Sequence, residues 1–423
     1  MKKSILYCFL ILFFLTNATY GTFTCSGQFD DWSEDINLTS NENRSIGPDI
    51  ATFLDTVHVV YAEDEGSPFL EGSVWYIRSE DNGETWNERI RLDTETVKAK
   101  SPKIAVCESK IHVIWLDYND DSIHYVRSLD NGETWSTEMV IAVECCQSGD
   151  YDIAVNDSHV HVSYPTSDHK VSYVSSADDG TTWGTSVKLA PNDSHTTRLA
   201  MAVNRKNIYI TWKDFTKAGT TPLGSHIYDI FFIKSEDNGL TWVSEINISQ
   251  TPYNKTGLVD IAVSGANIYI TYEQEWYGIY QLFLSYSRDY GNTWVRNVKL
   301  TDSTKNILNP SISVENENIY IAWVDRRDGG YTIYFKRSSD YGVTWDTSQR
   351  ITSIGGCHDP EITANAHWVH VVWWKMWGTL ICDDIFYKRH EVPQSQIEAT
   401  IDIDPDTLNL KSKGRWITVY IEL

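Results

Sequence analysis

One eight-residue phrase recurs six times along this chain. It reads SEDNGETW at Ser79–Trp86, SLDNGETW at Ser128–Trp135 and SADDGTTW at Ser176–Trp183, then SEDNGLTW at Ser235–Trp242, SRDYGNTW at Ser287–Trp294 and SSDYGVTW at Ser338–Trp345. Successive tryptophans lie 49, 48, 59, 52 and 51 residues apart. A period near fifty residues belongs to architectures in which no unit can bury its apolar face alone and neighbours supply the core. The 423 residues therefore predict one large closed unit in place of several small domains.

The units resolve into strands. Each phrase is preceded by a strand such as SVWYIRS (Ser73–Ser79) and followed by one such as RNVKLT (Arg296–Thr301). Two earlier strands complete each unit. The first is exemplified by PKIAV (Pro102–Val106) and the second by IHVIW, ending at Trp115. Such pairs occur seven times but the phrase only six, because the last unit stops after DIFYKRH (Asp384–His390). Its missing strand matches Trp32–Thr39 at the other end of the chain. The prediction is an all-β fold, a seven-bladed β-propeller of four-stranded blades over residues 30–391, closed by the N-terminal strand. Small residues at Ala51, Ala105, Ala154, Ala202, Ala262, Ser313 and Thr363 fit the crowded axis on which seven innermost strands converge.

The ends read differently. Lys2 and Lys3, the apolar run Ile5–Leu15 and small residues up to Gly21 form a secretory signal peptide over 1–21, too short to span a bilayer. Residues 392–398 read as a linker. Residues 399–423 alternate like a strand pair around Lys413-Gly414 and predict an incomplete C-terminal β module. Export permits disulfides among Cys25, Cys107, Cys145, Cys146, Cys357 and Cys382, and their pairing stays open among fifteen arrangements. A formal charge of −23 argues against a nucleic-acid partner, which would need a basic surface. The expected protein is secreted, extracellular or cell-surface, monomeric, and without a transmembrane segment in its mature form.

The phrase S-x-D-x-G-x-T-W resembles the Asp-box, or BNR repeat, of sialidases, sortilin-type receptors and other secreted propellers. The resemblance extends over roughly 360 residues. Serine hydroxyl and aspartate carboxylate hold turn amides, glycine takes positive φ, and tryptophan is expected to plug between the outer strands of its own blade. Asp81, Asp130, Asp178, Asp237, Asp289 and Asp340 are thereby structural. The resemblance also implies that the boxes lie opposite the functional face.

That face collects the starts of the first strands. Asp49, Asp152, Asp260 and Glu361 there make a candidate ligand ring, able to take a glycan or a calcium ion. Trp276, Tyr277 and Trp377 in nearby loops are candidates for stacking on sugars. His58, His112, His161 and His370 share a column with Tyr209, Tyr269 and Tyr320, which marks a packing position and not a metal site. The favoured function is recognition of an extracellular glycan or protein. The alternative is a sialidase-like exo-glycoside hydrolase. Sialidases bind substrate carboxylate through three arginines. Their first lies in a Phe/Tyr-Arg-Ile-Pro motif that is absent here, leaving Arg44, Arg198, Arg326 and Arg327 as weak substitutes and Asp152 and Asp260 as candidate acids.

Overall fold

The computed structural model describes residues 32–392 apart from 41–42, 65–71, 95–97, 146–149, 190–195, 215–226, 251–254, 354 and 377–382, together with the strands at 400–404, 407–412 and 415–419. The predicted signal peptide, most of the linker, and Trp377 lie outside the described residues.

Seven four-stranded antiparallel sheets account for residues 32–392. The first strands are Arg44–Phe53, Ala99–Cys107, Asp152–Asn156, Thr196–Asn204, Thr256–Ser264, Ile307–Glu315 and Cys357–Ala364, taken as blades 1 to 7. Each touches the next around the circle, and the seventh returns to the first. The chain is thus a seven-bladed β-propeller. As the sequence predicts, the fourth strand of blade 7 is Ile36–Asn37, which pairs with Asp383–Glu391 (Ile36 opposite Tyr387, Asn37 opposite Phe386). Side chains reinforce the closure. Asn37 Nδ2 and Thr39 Oγ1 each donate to Asp384, at 2.9 Å.

The core lies between blades. Trp115, Trp212, Trp323 and Trp373 of the second strands are fully buried, because facing sheets exclude water from both sides. The Asp-box tryptophans correct the sequence reading. Trp86 meets Tyr387, Trp135 meets Tyr76, Trp183 meets Tyr125, Trp242 meets Tyr173 and Trp294 meets Phe232, all edge-to-face at 4.8–5.0 Å. Each partner belongs to the third strand of the preceding blade, so the tryptophan locks blade to blade. Trp32 completes the series by meeting Phe335 at 5.0 Å, supplying blade 7 with the tryptophan that its absent box lacks.

The box glycines take part in the same contact. Gly180 has φ +77°, and a Cβ built on it would stand 1.8 Å from Tyr125 Oη. Both the backbone conformation and the space exclude a side chain. Within every box the serine hydroxyl donates to the aspartate at 2.7–2.8 Å and accepts the glycine N–H at 2.8–2.9 Å.

The histidine column is a packing device, as expected. His58, His112, His161 and His370 are fully buried, and each Nδ1 meets a third-strand tyrosine hydroxyl at 2.6–2.7 Å. Where the column holds Tyr209 or Tyr320, the opposite residue is Phe232 or Phe335, with no hydroxyl to satisfy. Burial pushes His58, His161 and His370 down to about 3 and His112 to about 4.

The C-terminal segment forms a separate three-stranded antiparallel sheet, Thr400–Asp404, Thr407–Ser412 and Arg415–Val419. The expected pair around residues 413–414 is there, and one further strand precedes it. No helix among the described residues is long and apolar enough to cross a membrane.

Candidate functional site

At the axis the first strands of adjacent blades approach side by side without forming a ladder. Their inward N–H groups must find other partners. The predicted acids supply them. Asp49 Oδ2 accepts the Ile104 N–H at 2.8 Å, Asp152 Oδ2 accepts Met201 N–H at 2.7 Å, and Asp260 Oδ2 accepts Ile312 N–H at 2.8 Å. In each case an odd-numbered blade is stapled to the next even one. Asp152 Oδ1 and Asp260 Oδ1 accept the following amides, Ile153 and Ile261, at 2.8 and 2.7 Å. Ser311 Oγ continues the ring by accepting Ile362 N–H and donating to Glu361 Oε2.

Even blades contribute Lys103, Ala200 and Ser311 at this level, so the acids alternate with residues that carry no negative charge except where Glu361 of blade 7 adjoins Asp49 of blade 1. Lys103 lies among them, 3.0 Å from Glu361 Oε1 and 3.7 Å from Asp49 Oδ1. Burial pushes Asp49 up to about 6, Asp152 to about 8 and Asp260 to about 7. Burial opposes the charge of Lys103, yet Asp49, Glu361 and Asp152 hold its ammonium well above the ordinary value. A cation at the axis would have to displace amides and Lys103 from these oxygens.

Above the ring opens a cavity of about 210 Å³. Its wall contains a column that the sequence reading did not single out, two residues before each predicted acid position: Gly47, Ser101, Asp150, Arg198, Leu258, Asn309 and Asp359. Five of these have positive φ, between 44° and 56°. In six of the seven blades the first-strand pairing slips here, as a β-bulge. A bulge turns one side chain off the sheet face and into the cavity. Gly, Asn, Asp and Ser recurring two places before the axial position were the available signal.

The wall carries five carboxylates (Asp150, Asp152, Asp260, Asp359 and Glu361) against two cations, Lys103 and Arg198. Arg198 is half-exposed and pairs with Asp150 at 3.2 Å. The other candidate arginines do not join it. Arg44 is paired with Asp383 at 2.7 Å, and Arg327 with Asp325 at 2.5 Å. Arg326 lies over Tyr331 and lines a second cavity with Lys305, Asn306 and Gly330.

Aromatics on blades 6 and 7 gather near the wall residue Asp359 without lining the axial cavity, and Tyr331 lines the second one. Tyr331, His358 and Trp374 form a ladder with ring centroids 4.6 and 4.4 Å apart, all half-buried. Trp374 Nε1 donates to Asp359 Oδ2 at 2.7 Å, and Asn309 also bonds that carboxylate. Trp276 and Tyr277 occupy the hairpin tip of blade 5. They are 41% and 93% exposed, so Tyr277 has almost no packing role in the free chain. Behind the wall Glu273 accepts Asn309 N–H at 2.7 Å, and burial raises it to about 7. Carboxyls that hold a proton near neutral pH can both donate to and accept from hydroxyl groups, which a fully ionised carboxylate cannot.

The model of the BNR repeat-like domain matches residues 173–355. Among solved structures, the chain is similar to a protein of unknown function from Dyadobacter fermentans, at 12% identity over 86% of this chain and 99% of that one, with a TM-score of 0.56. It is also similar to an ulvan lyase of polysaccharide lyase family PL25, at 12% identity over 84% of this chain and 95% of that one, TM-score 0.59. The ulvan lyase has also been solved with bound -[GlcA(1-4)Rha3S]-. At this identity the likeness is one of fold. No curated protein matches the chain. Six boxes and seven closed blades make this chain a seven-bladed β-propeller with Asp-box repeats, and its residues 173–355 match the BNR repeat-like domain.

Proposed function

We propose that this protein is a secreted glycan-recognition module whose ligand enters the axial cavity and is a neutral or amine-bearing oligosaccharide. The observation that carries the reading is the wall chemistry, five carboxylates against two cations, both of them already paired with acids. An anionic sugar would meet the charges of Asp150, Asp359 and Glu361, since burial keeps Asp152 and Asp260 largely protonated near neutral pH, and would find no free guanidinium. Hydroxyl-rich sugars instead meet abundant acceptors and protonated carboxyls, with the His358–Trp374 ladder available to an apolar sugar face. One protein of similar fold, the ulvan lyase, is named for a polysaccharide, which supports glycan as the ligand class, although its bound -[GlcA(1-4)Rha3S]- is anionic where this wall favours a neutral or cationic sugar. Secretion rests on residues 1–21.

The sialidase alternative lacks a convergent arginine set, since Arg198 alone of the four candidates lines this cavity. The test presents the purified protein with neutral, amino-sugar, uronate and sialylated oligosaccharides, reading retention by calorimetry and released sugars by mass spectrometry. Retention of neutral or amino sugars, lost in Asp359→Ala and Trp374→Ala, is the expected result. Preferential retention of an anionic glycan, or free sialic acid, would overturn it.

A further inference from the structure

The turn joining the second and third strands of blade 2 reads Asp117-Tyr-Asn-Asp-Asp-Ser122, and His124 follows on the third strand. Three ligand-type atoms converge there. His124 Nε2 lies 3.8 Å from Asp117 Oδ2 and 3.8 Å from Asp120 Oδ1. Among the described residues, this is the group of three acid, imidazole or thiol side chains whose ligand atoms lie within 4.8 Å of one another. The axial acids do not form such a group.

The imidazole gives the second, independent observation. His124 is only 8% exposed, yet its Nε2 has no hydrogen-bond partner. Its Nδ1 bonds the Glu138 carboxylate. A carboxylate accepts and cannot donate, so the network assigns the proton to Nδ1. Nε2 then directs a bare lone pair at two carboxylates, three acceptors facing one another with nothing between. That arrangement is unfavourable unless a cation occupies the gap.

We propose that Asp117, Asp120 and His124 bind a divalent transition-metal ion, with Zn²⁺ the best fit. One imidazole and two carboxylates make a nitrogen–oxygen donor set suited to zinc, whereas calcium takes six to eight oxygens. Zinc bonds of about 2.0–2.1 Å put tetrahedral ligand atoms about 3.4 Å apart, so the observed separations need to close by a few tenths of an ångström. Glu138 is the positioning residue, fixing tautomer and ring direction as carboxylates do behind metal-bound histidines. The amides of Asn119 and Lys98 donate to Asp117 Oδ1 at 2.9 and 3.3 Å, leaving Oδ2 for the ion. Ser122 donates both its N–H, at 3.1 Å, and its hydroxyl to Asp120 Oδ1, so binding an ion there means sharing or displacing the hydroxyl. Asp120 is more than half exposed, which gives the ion a route from solvent and leaves room for water as a fourth ligand.

The experiment uses the full chain, stripped with a chelator, dialysed and titrated with Zn²⁺ alone by calorimetry. The expected result is one site per chain, abolished in His124→Gln and weakened about 10- to 100-fold in Glu138→Gln. Co²⁺ should give the visible absorption of a tetrahedral site in the parent and none in His124→Gln. Asp120→Asn, at the solvent edge, reads the same loss if the buried variant does not fold. No binding, binding unchanged in His124→Gln or Asp120→Asn, or binding of Ca²⁺ in preference to Zn²⁺ would each overturn the proposal.

Discussion

Two sets of aspartates hold this propeller together, and their surroundings shift them in opposite directions from the ordinary carboxylate range. Those of the Asp-boxes and those of the axial ring do the same work, accepting backbone N–H groups. The box acids stand in open turns. The threonine four residues on donates both its hydroxyl and its amide, and with the box serine this holds Asp130, Asp178, Asp289 and Asp340 at about 2. Asp152 and Asp260 accept two amides each, yet burial drives them to about 8 and about 7. Hydrogen bonds to the charged form are similar in the two places, so solvent access decides the sign. A carboxylate can therefore serve as a structural acceptor without being an acidic one.

The largest expected effect tests the box side. Gly180→Ala meets positive φ and the Tyr125 hydroxyl together, and should cost about 2–4 kcal/mol in urea unfolding. Gly265→Ala has φ +58° but nothing within 4 Å, and should lose only about 1–2 kcal/mol. Equal losses would mean that backbone strain alone, and not the contact between blades, sets the requirement for glycine.

Next comes the axial side. Asp152→Ala leaves the Met201 N–H without its staple and should lower stability by about 1–3 kcal/mol. An unchanged urea midpoint would show that water replaces the carboxylate there.

The comparison is sharpest in its pH dependence. A native pKa raised above the unfolded value means that the folded chain binds the proton more tightly. The stability from Asp152 and Asp260 is thus complete below about pH 4 and declines as pH climbs through about 7 and 8. The box acids behave oppositely: their contribution is complete above about pH 4 and is lost as pH falls through about 2. Unfolding midpoints from pH 2 to 9 should show Asp152→Ala flattening the upper limb alone. Asp130→Ala should flatten the lower limb alone. Any exchange of these roles would break the assignment. The smallest effect is reserved for calcium. Because the oxygens of Asp152 and Asp260 already serve amides, millimolar Ca²⁺ should leave the Tm of the chelator-treated protein nearly unchanged.

The ring was legible in the sequence because repetition reports geometry directly. Seven aligned strand pairs require seven blades, and the likeness of Trp32–Thr39 to a fourth strand revealed the closure. The same alignment placed Asp49, Asp152, Asp260 and Glu361 at one level. It could not show that three of them are capped by a neighbouring blade's amides, since that contact joins residues about fifty apart whose spacing carries no pattern. Bulges hid Arg198, Asn309 and Asp359, because a two-residue alternation does not announce where it slips, and Asp150 lies just before the blade 3 strand that begins at Asp152. His124 was hidden for a simpler reason. It has no counterpart in the other blades, and repeats draw the eye to columns.

The closure of blade 7 also governs how the molecule would respond to load. Ser33 N–H bonds the Arg389 carbonyl at 2.9 Å, and Leu38 N–H bonds that of Ile385 at 2.8 Å, so the outermost bond of the pair lies nearest both departing ends of the chain. Tension applied between residues 32 and 392 would break those bonds one after another, like a zipper, where a sheared pair would resist with all of them at once. The seam that completes the ring is therefore the place where a modest pull would open it.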